Sequence, residues 1–66
     1  MEVQVNGQWR EFPDGSTVAA LLAALDIDGR GVAVALNGEV VRRGRWSEVV
    51  VPAGARLEVL TAVQGG

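Results

Sequence analysis

The sequence predicts an α+β fold, a single helix packed on one face of a mixed sheet of four or five strands. Three observations lead there. Two Asn-Gly dipeptides, Asn6-Gly7 and Asn37-Gly38, each sit between short runs of strand-forming residues. Between these hairpins lies one apolar stripe at helical spacing, Val18, Leu21, Leu22 and Leu25. A last apolar run, Arg56–Val63, follows a Pro52-Ala53-Gly54 turn. One amphipathic helix covers only one face of such a sheet.

Met1–Val5 alternates, with Met1, Val3 and Val5 on one face and Glu2 and Gln4 on the other, the period of a half-buried strand. Asn6-Gly7 supplies the two positive-φ residues of a type I′ turn. The returning strand, Gln8–Phe12, then sets Val5 opposite Gln8, Gln4 opposite Trp9, Val3 opposite Arg10 and Met1 opposite Phe12. Cross-strand partners share a face, so Phe12 joins the core and Trp9 points away from it. Arg10 lands on the core side. Either its stem snorkels to the sheet edge or a bulge shifts the register, and the pattern does not choose.

Pro13-Asp14-Gly15 is turn chemistry, and Ser16 or Thr17 can cap a helix by accepting an orphan backbone N–H. Four alanines fill the rest of the helix, which should stop near Asp26 ahead of Gly29 and Gly31. Val32–Leu36 is a short apolar strand, turned at Asn37-Gly38 into Glu39–Val41. Arg42–Ser47 reads as a loop carrying Trp46, and Val49–Val51 as a brief extended piece. In the last strand Leu57, Val59 and Thr61 share one face, and Glu58, Leu60 and Ala62 the other. Because the helix joins strands that cannot be hairpin neighbours, it should act as a crossover. Pattern alone does not set the order of the strands.

With 66 residues the chain makes one domain, residues 1–66, with 64–66 as an extended C-terminal tail. Its 48% hydrophobic content is that of a folded chain. It has no cysteine and no histidine, which leaves no disulfide, no thiolate metal site and no side chain titrating near neutrality. The net charge of −2 argues against nucleic acid as a partner. No apolar run reaches the roughly 18 residues of a membrane span, and the first residues lack the features of a signal peptide. A cytoplasmic protein is expected. All six cations are arginines, so the chain cannot form lysine-linked chains of itself.

Chemistry is best placed at the Gly65-Gly66 end. Glycine lets backbone approach another surface closely, so such a tail can thread a narrow channel and present the Gly66 carboxylate. A frayed end is the plain alternative, and what weighs against it is the position of the doublet directly after a final strand. A second candidate is the sheet face opposite the helix, where Trp9, Leu60 and Ala62 project, joined by Ala33 and Ala35 if the registers hold. An apolar patch there is a candidate protein interface. Arg42, Arg43 and Arg45 beside Trp46 read as a solvated loop with the indole tucked into the core edge, the alternative being contact with an acidic patch on a partner. Asp26 and Asp28 read as solvated, and Gly29-Arg30-Gly31 is too short for a phosphate loop.

Val34–Val41, Trp46 and the closing run Ala55–Gly66 together resemble the ThiS family, the sulfur carriers of thiamine biosynthesis. That family is grouped with the molybdopterin-synthase small subunit and the ubiquitin-like β-grasp proteins. The likeness extends over nearly the whole chain and is sharpest in the last ten residues, while Arg42 departs from the proline favoured there. It implies a β-grasp fold with the first and last strands side by side at the centre. It also implies a covalent carrier rather than an enzyme. A partner adenylating enzyme using ATP and Mg²⁺ would activate the Gly66 carboxylate as an acyl-adenylate. A persulfide or sulfide, supplied by a donor such as a cysteine desulfurase, would displace AMP to leave a thiocarboxylate. Thiazole synthase would then accept the sulfur. In these roles Gly66 carries the group, Gly65 gives clearance, and Gln64 and Val63 guide the tail. A carrier for molybdopterin or tRNA thiolation would use the same tail, and a plain β-grasp interaction module would not need it.

Overall fold

The computed structural model describes residues 1–61. Five strands, β1 (Glu2–Val5), β2 (Gln8–Glu11), β3 (Val32–Leu36), β4 (Glu39–Val41) and β5 (Arg56–Thr61), form one sheet in the order β2-β1-β5-β3-β4. β1 and β5 are parallel at the centre, and the other neighbours are antiparallel. It follows that β2 and β3 run parallel to each other on either side of the central pair. The helix α1 (Val18–Ala24) carries the chain between them. This is the β-grasp arrangement.

Both hairpins form as their Asn-Gly pairs require, with φ of 48° and 86° at Asn6 and Gly7, and 50° and 85° at Asn37 and Gly38. The first hairpin keeps the plain register, Val3 opposite Arg10 and Gln4 opposite Trp9, with no bulge. Two backbone bonds continue the ladder to the Met1–Phe12 pair. Arg10 is therefore on the helix side of the sheet, yet it is exposed, because β2 is an edge strand exposed along its length. No charge is buried at that position.

Val18, Leu21 and Leu22 of α1 pack with Val3, Val5, Val34 and Leu57 of the sheet. Phe12, Trp46, Val51 and Ala55, all from connecting segments, complete the core. Of the two candidate caps Thr17 is the one used, its hydroxyl accepting from the Ala20 N–H at 3.1 Å. The two preceding orphan donors are taken by the later connector. Val18 N–H donates to the Val49 carbonyl at 3.0 Å and Ala19 N–H to that of Trp46 at 2.9 Å.

The helix ends slightly earlier than Asp26, with Leu25 as the C-cap. Asp26 takes the left-handed conformation at φ 59°. Its N–H donates to Ala23, and that of Ile27 to Leu22, closing a Schellman motif with aspartate in the usual glycine position.

Residues 42–47 are more ordered than a plain loop, with a 3₁₀ turn at Arg43–Arg45. Arg42 enters this turn at φ −64° and ψ 144°, a geometry that proline also holds. Val49–Val51 is reduced to a single bridge, Val50 with Thr17. Trp46 is buried as expected at the core edge, its indole N–H donating to the Val41 carbonyl at 2.9 Å.

A Cβ added at Gly29 would lie 2.8 Å from the Trp46 ring carbon Cζ3, so this glycine is a packing requirement. Gly29→Ala forces a buried ring to move, and urea denaturation should show a loss of about 1–3 kcal/mol.

Candidate functional site

β5 is the strand that leads toward the C-terminal residues, and it is held from both sides. On the β3 side it pairs through Val32–Thr61, Ala33–Leu60, Val34–Val59, Ala35–Glu58 and Leu36–Leu57. On the other side β1 accompanies it only as far as Val5 opposite Leu57, where the chain turns away at Asn6-Gly7. The backbone groups of Val59 would then lose their partner. Asn6 replaces the missing strand. Its side-chain carbonyl accepts from Val59 N–H at 2.8 Å, and its amide donates to the Val59 carbonyl at 3.2 Å. Asn37 acts in the same way at the start of the strand, its Oδ1 accepting from Arg56 N–H at 2.8 Å.

The sequence supplied a reason for both asparagines, their tolerance of positive φ, and concealed this second one. An amide that finds a strand 53 residues away leaves no trace in local pattern.

The registers put Glu2, Gln4, Trp9, Glu11, Ala33, Ala35, Val40, Arg56, Glu58 and Leu60 on the face opposite the helix. Leu60 is 70% exposed and Val40 78%. They meet Ala33 and Ala35 in a shallow groove of about 170 Å³, edged by Asn6 and Glu58. Trp9 is 56% exposed on the same face but does not line this groove. It stands beside Gln4, which stands beside Arg56, four residues before Leu60. At about 3.3 Å per residue, that sets it roughly 13 Å back along the strands and two strands across. The face thus has an apolar groove at the C-terminal end of β5 and a separate exposed indole.

Ala62, Val63, Gln64, Gly65 and Gly66, the guiding and carrying residues expected from the sequence, lie outside the described residues. Thr61, directly before them, lines a second groove of about 280 Å³ with Gly29, Gly31, Val32, Ala33, Leu60 and Arg43. Arg43, exposed as the solvated-loop reading has it, lines this groove. Asp28 and Arg30 form an exposed ion pair at 3.2 Å, and that guanidinium holds the Asp28 carboxyl below the ordinary carboxylate range. Among the described residues no helix is long and apolar enough to cross a membrane.

The sequence model of the ThiS family matches residues 3–66. The chain belongs to the ThiS family. It is 32% identical to the sulfur carrier protein ThiS of Escherichia coli, with all of both chains aligned. It is 39% identical, over its whole length, to part of a thiazole synthase from Paramagnetospirillum magneticum, of which it spans only 20%. Among solved structures it matches a crystal structure of a thiamine biosynthesis protein (ThiS) from Geobacter metallireducens. That match has a TM-score of 0.86 and 33% identity, and covers all of both chains. A solution structure of a thiamine biosynthesis protein from the same organism matches with a TM-score of 0.80, covering 88% of that chain. The ThiS β-grasp, with its first and last strands paired at the centre, is the fold described above.

Asn6→Gly keeps the turn conformation while removing the side-chain amide from Val59. It should lower unfolding free energy by about 1–3 kcal/mol in urea titration, and hydrogen exchange at the Val59 amide should quicken.

Proposed function

We propose that this chain is a sulfur carrier for thiazole formation in thiamine biosynthesis, with Gly66 as the attachment point. The single observation that supports this most strongly is the end-to-end match with a sulfur carrier protein, which includes the Gly65-Gly66 end. The thiazole synthase relative that contains a segment like this chain favours thiazole over molybdopterin or tRNA thiolation as the destination.

The chemistry needs little from the carrier's side chains. The Gly66 carboxylate, ionised at neutral pH given a reference pKa of about 3.5, attacks the α-phosphorus of ATP held with Mg²⁺ on an adenylating enzyme. Pyrophosphate leaves, and an acyl-adenylate remains. Sulfide attacks the carbonyl and expels AMP, leaving the thiocarboxylate. A persulfide from a cysteine desulfurase would instead expel AMP to form an acyl disulfide, which a thiol then reduces to the thiocarboxylate. The sulfur passes to the thiazole precursor on thiazole synthase in exchange for an oxygen from that precursor or from water, and the carboxylate so regenerated can be charged again. Gly65 gives clearance in the partner's channel, while Gln64 and Val63 guide the tail. The protein is a co-substrate rather than a catalyst, and its place is the cytoplasm.

The sheet face opposite the helix is the docking face, through Leu60 with Ala33, Ala35 and Val40. Trp9 is a second, separate anchor. Leu60→Arg should weaken binding to the adenylating enzyme by about tenfold or more and Trp9→Ala by less, both without loss of fold by circular dichroism. Unchanged affinity in both variants, by calorimetry, would remove this face from the interface.

The reading itself is tested by intact mass after incubation with ATP, Mg²⁺, the adenylating enzyme and a sulfur donor. Oxygen-to-sulfur exchange adds about 16 Da, as does oxidation of Met1, so fragmentation must locate the gain on Gly66. A chain extended by one residue beyond Gly66 should show no such gain. If the unextended chain shows none either, the carrier reading fails and a plain interaction module takes its place.

A further inference from the structure

We propose that the groove around Thr61 is a collar that seats on the adenylating enzyme at the mouth of its tail channel, where Arg43 meets an acidic side chain of that enzyme. The inference rests on the carrier reading.

Reach carries the first part. Five residues follow Thr61. Fully extended they span at most about 18 Å. A catalytic centre must be sheltered from water to keep an acyl-adenylate from hydrolysing, which places it below the enzyme surface. Depth in the channel consumes that reach, which brings the channel mouth toward Thr61 and its immediate surroundings. Those surroundings are the lining of the 280 Å³ groove.

Charge carries the second part. Leu60, Val32 and Ala33 are apolar, and Gly29 and Gly31 offer only backbone. Arg43 is the one ionisable side chain in the lining. Among the described residues the ion pairs are those of the Met1 amino group with Asp14, Arg30 with Asp28, and Arg45 with Glu48. Arg43 is in none of them, and Asp28, which feels it at longer range, is already held by Arg30. A guanidinium covered by a partner without an opposing charge would lose its hydration uncompensated. An opposing carboxylate would offset that loss, and this is the contact proposed. A carboxylate at the channel mouth would also fix the rotation of the carrier about its tail, which a flexible glycine doublet cannot do.

The test is steady-state adenylation, read as ATP–pyrophosphate exchange with the carrier as varied substrate. Arg43→Glu should raise KM for the carrier by about tenfold or more with kcat nearly unchanged, Arg43→Ala should raise it less, and Arg43→Lys should restore most of it. Arg10→Glu makes the same charge change on the exposed edge strand and should leave KM within twofold. Thermal melts of each variant separate docking from folding. A KM for Arg43→Glu within twofold of the parent overturns the collar contact. So does an effect seen only in sulfur delivery to thiazole synthase, which would move the contact to that enzyme. If the parent chain is not charged on Gly66 at all, the carrier reading falls and the collar with it. A parent that is charged while Arg43→Glu behaves identically sinks only the collar.

Discussion

A helix of seven residues is too short for the sheet it must cover. At 1.5 Å per residue it is about 10 Å long, while five strands at roughly 4.8 Å spacing make a surface about 19 Å across. The rest of the fold follows from that mismatch. Phe12, Trp46, Val51 and Ala55 are recruited from connecting segments to close the apolar layer. To hold them there the connector binds the start of the helix, its Trp46 and Val49 carbonyls taking the orphan donors of Ala19 and Val18. The 3₁₀ turn places the Trp46 ring, and the ring in turn requires Gly29 to have no side chain. Helix, turn and indole form one unit, in which each part supplies hydrogen bonds or contacts that the others lack.

The same layering leaves the opposite face of the sheet without cover. Among the described residues nothing covers it, and Leu60, Val40 and Trp9 are exposed. For a protein whose work is done on other proteins this is an available docking surface. The strand that carries most of it, β5, is also the strand that leads to the C-terminal glycines. Fixing β5 at the sheet centre therefore fixes both the docking face and the point from which the tail departs. The two asparagine side chains make that fixation complete where β1 and β3 turn away.

Much of the strand content was legible. Alternation in Met1–Val5 and the Asn6-Gly7 turn predicted the plain pairing of the first hairpin, with a bulge at Arg10 left open, and Asn37-Gly38 predicted the second by its turn and strand bounds. The i, i+3, i+4 spacing of Val18, Leu21 and Leu22 predicted the buried stripe of the helix. The Gly65-Gly66 doublet and the run before it pointed to the carrier family that the comparisons then identified. Arg10 was not legible, since its exposure depends on β2 being an edge strand, and strand order is a property of long-range pairing. The single-patch reading of Trp9 with Leu60 failed to separate them for a related reason. Face can be read from parity, whereas position along a face needs the registers of β1, β5 and β3 together.

What the sequence determined alone were the local decisions, in which a residue's own conformational limits are sufficient. Asn and Gly accept positive φ, alanine and leucine favour helix, and parity assigns faces. The tertiary structure decided every question in which two distant segments share a hydrogen bond or a contact. It chose Thr17 over Ser16 as cap, set the Trp46 ring against Gly29, gave Asn6 the backbone of Val59, and brought Arg43 and Thr61 to one groove. Such pairings depend on which surfaces remain unsatisfied after the sheet has formed, and no single segment of the chain carries that information.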